Sequence, residues 1–170
     1  MKIFVTDKYR IVTFLMICAL IGTAAFCAQN YDSRETAATV RKIPIYSVSR
    51  DDNKIAVTFD CAWGADDIDS IIQTLKKHNC PSTFFVVGTW AEKYPDAVKK
   101  LAEAGHEIGN HSYNHTYYTG LSEDEIIADL NKCNDAVKNS CGSAPVIFRA
   151  PAGEYNNPVI SVSEKLAMPC

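Results

Sequence analysis

Four short apolar runs, Ile55–Phe59, Ser82–Gly88, His106–Asn110 and Val146–Phe148, alternate along this chain with segments of helical periodicity. Runs of this kind, rich in β-branched and aromatic residues, read as strands. Strands that alternate with helices through short connections form a parallel sheet, so the fold class is α/β. In such sheets the side chains at the C-terminal ends of the strands are the ones that meet substrate. Asp60 follows the first run, and Cys61-Ala62-Trp63-Gly64 makes a sharp exit from it. His111-Ser112-Tyr113-Asn114-His115 follows the third run and Arg149-Ala150-Pro151-Ala152-Gly153 the fourth. Three polar clusters on one rim predict one site.

The intervening helices have recognisable ends. Asp67 or Asp69 is placed to cap a helix whose apolar residues Ile68, Ile71, Ile72 and Leu75 share a face. A single helix is expected from about Trp90 to Ala104, stopped by Gly105. Ser122-Glu123-Asp124-Glu125 is a capping box opening a helix to about Asn139, and Pro158 starts another to about Ala167. Ile43–Val48 alternates in polarity and fits an edge strand, where its proline is tolerated. A closed eight-unit barrel takes about 250 residues, more than the 170 here. Leu166–Cys170 resembles the approach to a further strand, as in a piece of a longer protein.

Residues 1–28 read as a targeting segment: Lys2, Lys8 and Arg10 precede an apolar run from Ile11 to Ala28. A signal cleaved after Cys27 and an uncleaved membrane anchor both fit, and both place the remainder outside the cytoplasm. Residues 29–42 read as a polar spacer and 43–170 as the domain. The net charge of −3 and the absence of any basic run give no footprint for a nucleic-acid backbone. Seven cysteines without framework spacing predict free thiols rather than a disulfide scaffold, although a Cys133–Cys141 bridge is conceivable.

The clusters define a chemistry. His111 and His115 stand four residues apart, so one helical turn would put both imidazoles on one side of a shared cation. Two histidines and a carboxylate with open positions suit a hydrolytic metal site. Asp60 fits a general base, or else a cap on the following helix. Arg149 is suited to grip a carboxylate bidentately, or to form a plain structural ion pair. Trp63 and Tyr113 are candidates to stack on a sugar face, or else packing residues.

In combination, Thr58–Gly64 (TFDCAWG), His111–His115 (HSYNH) and Arg149–Gly153 (RAPAG) resemble the first three motifs of the polysaccharide deacetylase family, the NodB-homology domain. The Trp-Gly variant is most similar to sporulation-type membrane-anchored deacetylases. The resemblance covers about Ile43 to the end, with support from Ser82–Gly88 and Gly105–His111. It implies a distorted, incomplete (β/α) barrel preceded by an N-terminal apolar helix. It also implies metal-dependent removal of N-acetyl groups from an extracytoplasmic glycan such as peptidoglycan or a chitin-like polymer. The ion expected is divalent, zinc first, with cobalt, nickel or manganese as alternatives. By the same likeness Asp60 is the base, His111 and His115 are metal ligands, Arg149 orients Asp60, and the Ala152 N–H holds the oxyanion. Pro151 joins Trp63 and Tyr113 as a substrate contact.

The chain departs from the family pattern where the usual second aspartate, a metal ligand, is Cys61. Cys61 as thiolate, Asp66 or Asp67 from the loop, or water alone would then complete the shell. The family's later motifs, including a histidine that acts as general acid, lie outside these residues. Two other readings therefore stand beside the hydrolase. One is a catalytically inactive glycan-binding or envelope protein; the other is an amide hydrolase on a non-polymeric substrate.

Overall fold

The computed structural model describes residues 5–30 and 40–170. Residues 31–39, most of the expected spacer, lie outside the described part. The chain divides into two compact units, Met1–Val40 and Arg41–Cys170. The first holds helix α1, Val5–Asn30, whose described side chains from Tyr9 to Ala24 are exposed. Among the described residues, no helix is long and apolar enough to cross a membrane.

The second unit is built on three parallel strands, β1 Thr58–Cys61, β2 Thr83–Val86 and β3 Glu107–Asn110, in that spatial order. The register aligns Asp60 with Phe85 and Phe85 with Gly109. The first strand starts later than its apolar run: Ile55 is exposed, and pairing begins only where β2 begins, at Thr58 beside Thr83. The fourth run contributes one bridge, Phe148 to Asn110, instead of a full strand. The bridge is held by Asn110 N–H donating to the Ile147 carbonyl and Arg149 N–H donating to the Asn110 carbonyl, both at 2.9 Å. Ile43–Val48 forms no strand, although Ile45 N–H donates to the Cys170 carbonyl at 2.7 Å.

Helix α2, Ile68–Lys77, begins after Asp67, but no side-chain cap forms there. The helix expected over Trp90–Ala104 is two, α3 Gly88–Lys93 and α4 Pro95–Glu103. Pro95 has no N–H to continue the ladder, and Tyr94 before it takes a non-helical conformation. The capping box forms as expected on α5, Glu123–Cys141, and Asn156 caps α6, Asn157–Lys165. All six described cysteines are free, Cys133 and Cys141 included.

Strand alternation sorts the sheet into two faces. Phe84 and Val86 point to the helical layer, where they pack in one core with Trp90, Val98, Leu101 and Val137. Phe85 and Asp60 point the other way. A second core joins α5 and α6 through Tyr118, Ile126, Leu130, Phe148 and Val159. At this junction Asp129 of α5 accepts from the backbone N–H of Tyr113 at 2.7 Å and from the hydroxyl of Tyr118. Burial, reinforced by Asp129, pushes the Tyr118 phenol well above its ordinary range.

This carboxylate is the tether between α5 and the loop that carries both histidines. Asp129→Ala leaves a buried hydroxyl and a backbone N–H without an acceptor, at about 2–4 kcal/mol in sum. Urea unfolding of the variant should show that loss of stability with an unchanged m-value.

Candidate active site

Asp60 leaves β1 on the face opposite the helices, and three elements converge on it. Arg149, just past the fourth run, donates from Nη1 to Asp60 Oδ1 at 2.8 Å and from Nη2 to Thr58 Oγ1 at 3.0 Å. The bidentate grip expected on Asp60 is thus split between two acceptors. Thr58 shares the face of Asp60 by strand alternation, so the guanidinium spans the two residues on one side of β1. Its Cζ also lies 4.1 Å from the centre of the Phe85 ring.

His111 follows β3 and is 3 % exposed. Its Nδ1 lies 2.9 Å from the Arg149 carbonyl oxygen, which can only accept, so Nδ1 carries the proton. That leaves the Nε2 lone pair pointing toward Asp60, with Oδ2 at 4.0 Å. Burial holds His111 below the ordinary imidazole value, against the opposing pull of the Arg149 carbonyl and Asp60. The His115 ring meets His111 edge to face with centroids 5.0 Å apart.

The two histidines do not come together through a helical turn. Ser112 and His115 both adopt left-handed backbone, with φ of 65° and 58°. The turn is held from both sides: Ser112 N–H donates to Asn110 Oδ1 at 2.8 Å, and its carbonyl accepts from Gly88 N–H at 2.9 Å. Gly88 is required there, since a Cβ would lie 2.5 Å from the Tyr113 ring and 3.1 Å from the Cys133 backbone.

Tyr113 is therefore no sugar platform. It is buried, its hydroxyl donates to Glu92 at 2.9 Å, and Lys132 sits 3.8 Å over its ring. Trp63 is the exposed aromatic, at 82 %, with its ring 6.4 Å from that of His115. Its loop is anchored by Trp90, whose indole N–H donates to the Gly64 carbonyl at 2.8 Å. Pro151 is buried and opens a 3-10 turn, Pro151–Gly153. Ala152 within that turn is left-handed at φ 53°.

Two cavities meet at Asp60. One, of about 440 Å³, is lined by His111, Arg149, Ala152, Tyr46 and Tyr155; the other, of about 480 Å³, by Trp63, Cys61, Asp66 and Asp67. Cys61 packs against the helical core, and burial, with Asp60 and Asp67 adding to it, pushes its thiol up to about 12. A thiol so placed is a poor source of thiolate for a metal. Among the described residues, no group of three or more His, Cys, Asp or Glu is arranged to hold an ion. The donor types a divalent cation takes are present in the two imidazoles, one with its tautomer fixed by a carbonyl, beside the Asp60 carboxylate.

The family model for polysaccharide deacetylase matches residues 47–170. The chain belongs to the polysaccharide deacetylase family. Among its relatives is a peptidoglycan-N-acetylglucosamine deacetylase of Bacillus cereus, 39 % identical over 64 % of this chain and 40 % of that protein. Another is the uncharacterized protein YlxY of Bacillus subtilis, 34 % identical over 74 % of this chain and 39 % of that one. The crystal structure of a mutant of BA3943, described as a CE4 family pseudoenzyme from Bacillus anthracis, superposes with a TM-score of 0.72. It is 31 % identical and covers 75 % of this chain and 46 % of that one. The chain thus spans about two-fifths of the length of the curated relatives it matches. Sheet order, parallel strands and these neighbours agree on the α/β deacetylase fold, with an incomplete barrel.

Sequence reasoning missed Thr58 and Phe85. The first was hidden by its ordinary place in a β-branched strand, the second by a run of apolar neighbours. Strand parity relative to Asp60 was the signal that could have found Thr58. The raised thiol predicts slow alkylation. At pH 8, Cys61 should react with iodoacetamide more than about a hundredfold slower than a free thiol, as read by peptide mass mapping of the folded protein.

Proposed function

We propose that this chain belongs to a metal-dependent hydrolase that removes N-acetyl groups from amino sugars of an extracytoplasmic glycan. The observation that carries this reading is the Asp60 carboxylate held by the Arg149 guanidinium at 2.8 Å, with the unprotonated nitrogen of His111 4.0 Å away. The relative from Bacillus cereus, a peptidoglycan-N-acetylglucosamine deacetylase, supports the substrate class. The basic start and apolar run of residues 1–28 support export, with the segment as signal or anchor.

His111 and His115 would hold the cation, with Asp66 or Asp67 on the adjoining loop nearer in chemistry than Cys61 to a third ligand. A divalent ion bound there, zinc first, would supply Lewis acidity at the amide carbonyl. Asp60 takes a proton from the attacking water as oxygen bonds to the amide carbon. Arg149 and Thr58 fix the direction in which the carboxylate faces. The Ala152 N–H, set on the cavity rim by its left-handed backbone, is the donor assigned to the developing oxyanion. The carbon–nitrogen bond then breaks, giving acetate and a sugar amine that takes up the proton collected by Asp60. Trp63 offers a face on which a sugar ring stacks.

The test is acetate release from acetylated peptidoglycan and chitin oligomers, alongside metal content. Asp60→Asn should lower kcat by about 10²–10⁴-fold with metal retained, whereas His111→Ala should lose metal and activity together. Chelation should abolish release and zinc restore it. Acetate release that persists without metal, or in both variants, overturns the mechanism.

A second reading, a glycan-binding protein that keeps the fold without turnover, is favoured by Cys61, which lines the cavity beside Asp60 but offers a thiol that burial keeps protonated where the family pattern has an aspartate. The likeness to a described pseudoenzyme points the same way. The two readings separate on Cys61→Asp. If the site lacks only a ligand, this variant should gain metal retention on dialysis and acetate release over the parent. If the parent already holds one ion per chain, the substitution should add nothing.

A further inference from the structure

We propose that Phe85, seated over Gly109, is the positioning residue that aims the Arg149–Asp60 pair. The inference deepens the hydrolase reading, since it concerns how the proposed base is directed, but it stands on its own geometry. Asp60, Phe85 and Gly109 are cross-strand neighbours in one row of β1, β2 and β3. Their side-chain positions therefore share the face that bears the site. The middle member is a large flat ring, 7 % exposed, and the outer member on β3 has no side chain at all.

That absence is used. A Cβ on Gly109 would stand 2.5 Å from Cδ1 and 2.7 Å from Cε1 of Phe85, and 3.2 Å from Ile147 Cγ1. The ring thus occupies the space that any other residue at 109 would fill. From there it presents a face to Arg149, whose Cζ lies over the ring 4.1 Å from its centre. A guanidinium on an aromatic face is limited to sliding and rotating in one plane. From that position its two terminal nitrogens reach Asp60 and Thr58, at 2.8 and 3.0 Å.

The arrangement explains a feature the ion pair alone does not. Arg149 is 37 % and Asp60 45 % exposed at the side chain. An ion pair so open to water has little power to hold one geometry. The floor under Arg149 supplies the missing restraint: the ring below, Thr58 at the side, and the Arg149 carbonyl tied to His111 Nδ1 at 2.9 Å. Phe85 touches neither the attacking water nor the cation in this scheme, and acts through Arg149.

The experiment compares Phe85→Leu, Phe85→Tyr and Gly109→Ala with the parent in the full chain, using carbon-detected NMR of the Arg149 side chain. Ring-current displacement of the Arg149 Nε–Cζ signals reports the stacked geometry whether or not the protein turns over. Phe85→Leu should abolish that displacement, and Gly109→Ala, which keeps the ring but moves it, should change it. Phe85→Tyr, which keeps a flat ring in place, should preserve it. In the acetate assay, Phe85→Leu and Gly109→Ala should lower kcat by about tenfold or more, in keeping with the penalty for misplacing a catalytic group. KM should stay within about threefold, and Phe85→Tyr should retain most of the parent rate. Arg149 signals that do not move in Phe85→Leu overturn the inference, and so does a Phe85→Tyr variant as impaired as Phe85→Leu. If Phe85→Leu does not fold, the Gly109→Ala comparison decides alone. A protein inactive on every glycan leaves the NMR comparison intact, so failure of the hydrolase reading and failure of this one are distinguished.

Discussion

The candidate site depends on one arginine that works through both its backbone and its side chain. The carbonyl of Arg149 fixes the proton on His111 Nδ1, and its guanidinium holds Asp60 and Thr58. A single residue thus couples the His111 imidazole to the Asp60 carboxylate. Arg149 is itself placed by the sheet: its N–H donates to the Asn110 carbonyl at 2.9 Å, immediately before His111. The fourth apolar run contributes only a bridge, yet that bridge is enough to set the arginine beside the end of β3. Short pairing suffices because what must be exact is the position of one residue.

The helical layer serves the same end from the other side of the sheet. Asn110 points into it and donates to the Leu130 carbonyl and to Asn134, so α5 pins the last residue before the histidine. Asp129, one turn away, pins the loop that follows. Both polar anchors lie on a helix whose apolar face, Ile126, Leu130, Cys133 and Val137, joins the two cores. Burial of that face keeps α5 in place, and α5 in turn keeps the loop.

What the sequence disclosed followed from position. Asp60, His111, His115 and Arg149 were legible because each follows an apolar run, and the ends of parallel strands converge. The class of fold was legible from the same alternation. The capping box on α5 was readable as local chemistry, since Ser122 and Glu125 need only each other. The features that escaped depend on distant partners or on backbone conformation. Tyr113 has the composition of a binding aromatic, and only Glu92, Lys132 and the close backbone at Gly88 make it a core residue. The spacing of the histidines suggested a helical turn, whereas two left-handed residues make the turn. Cys61 was an open candidate because the apolar run ends at Phe59, whereas β1 continues through Cys61, and alternation then turns it away from Asp60 toward the helical layer.

The reversed backbone at position 115 has an evolutionary corollary. Few residue types sit comfortably at positive φ, and beyond glycine they are chiefly asparagine, aspartate and histidine. Two of those three are themselves common metal donors. Random change at this site is thus filtered by sterics before it is filtered by chemistry, and much of what survives the first sieve can still coordinate. A loop wound in the opposite hand thereby makes loss of a coordinating residue type at position 115 slower than the genetic code alone would dictate.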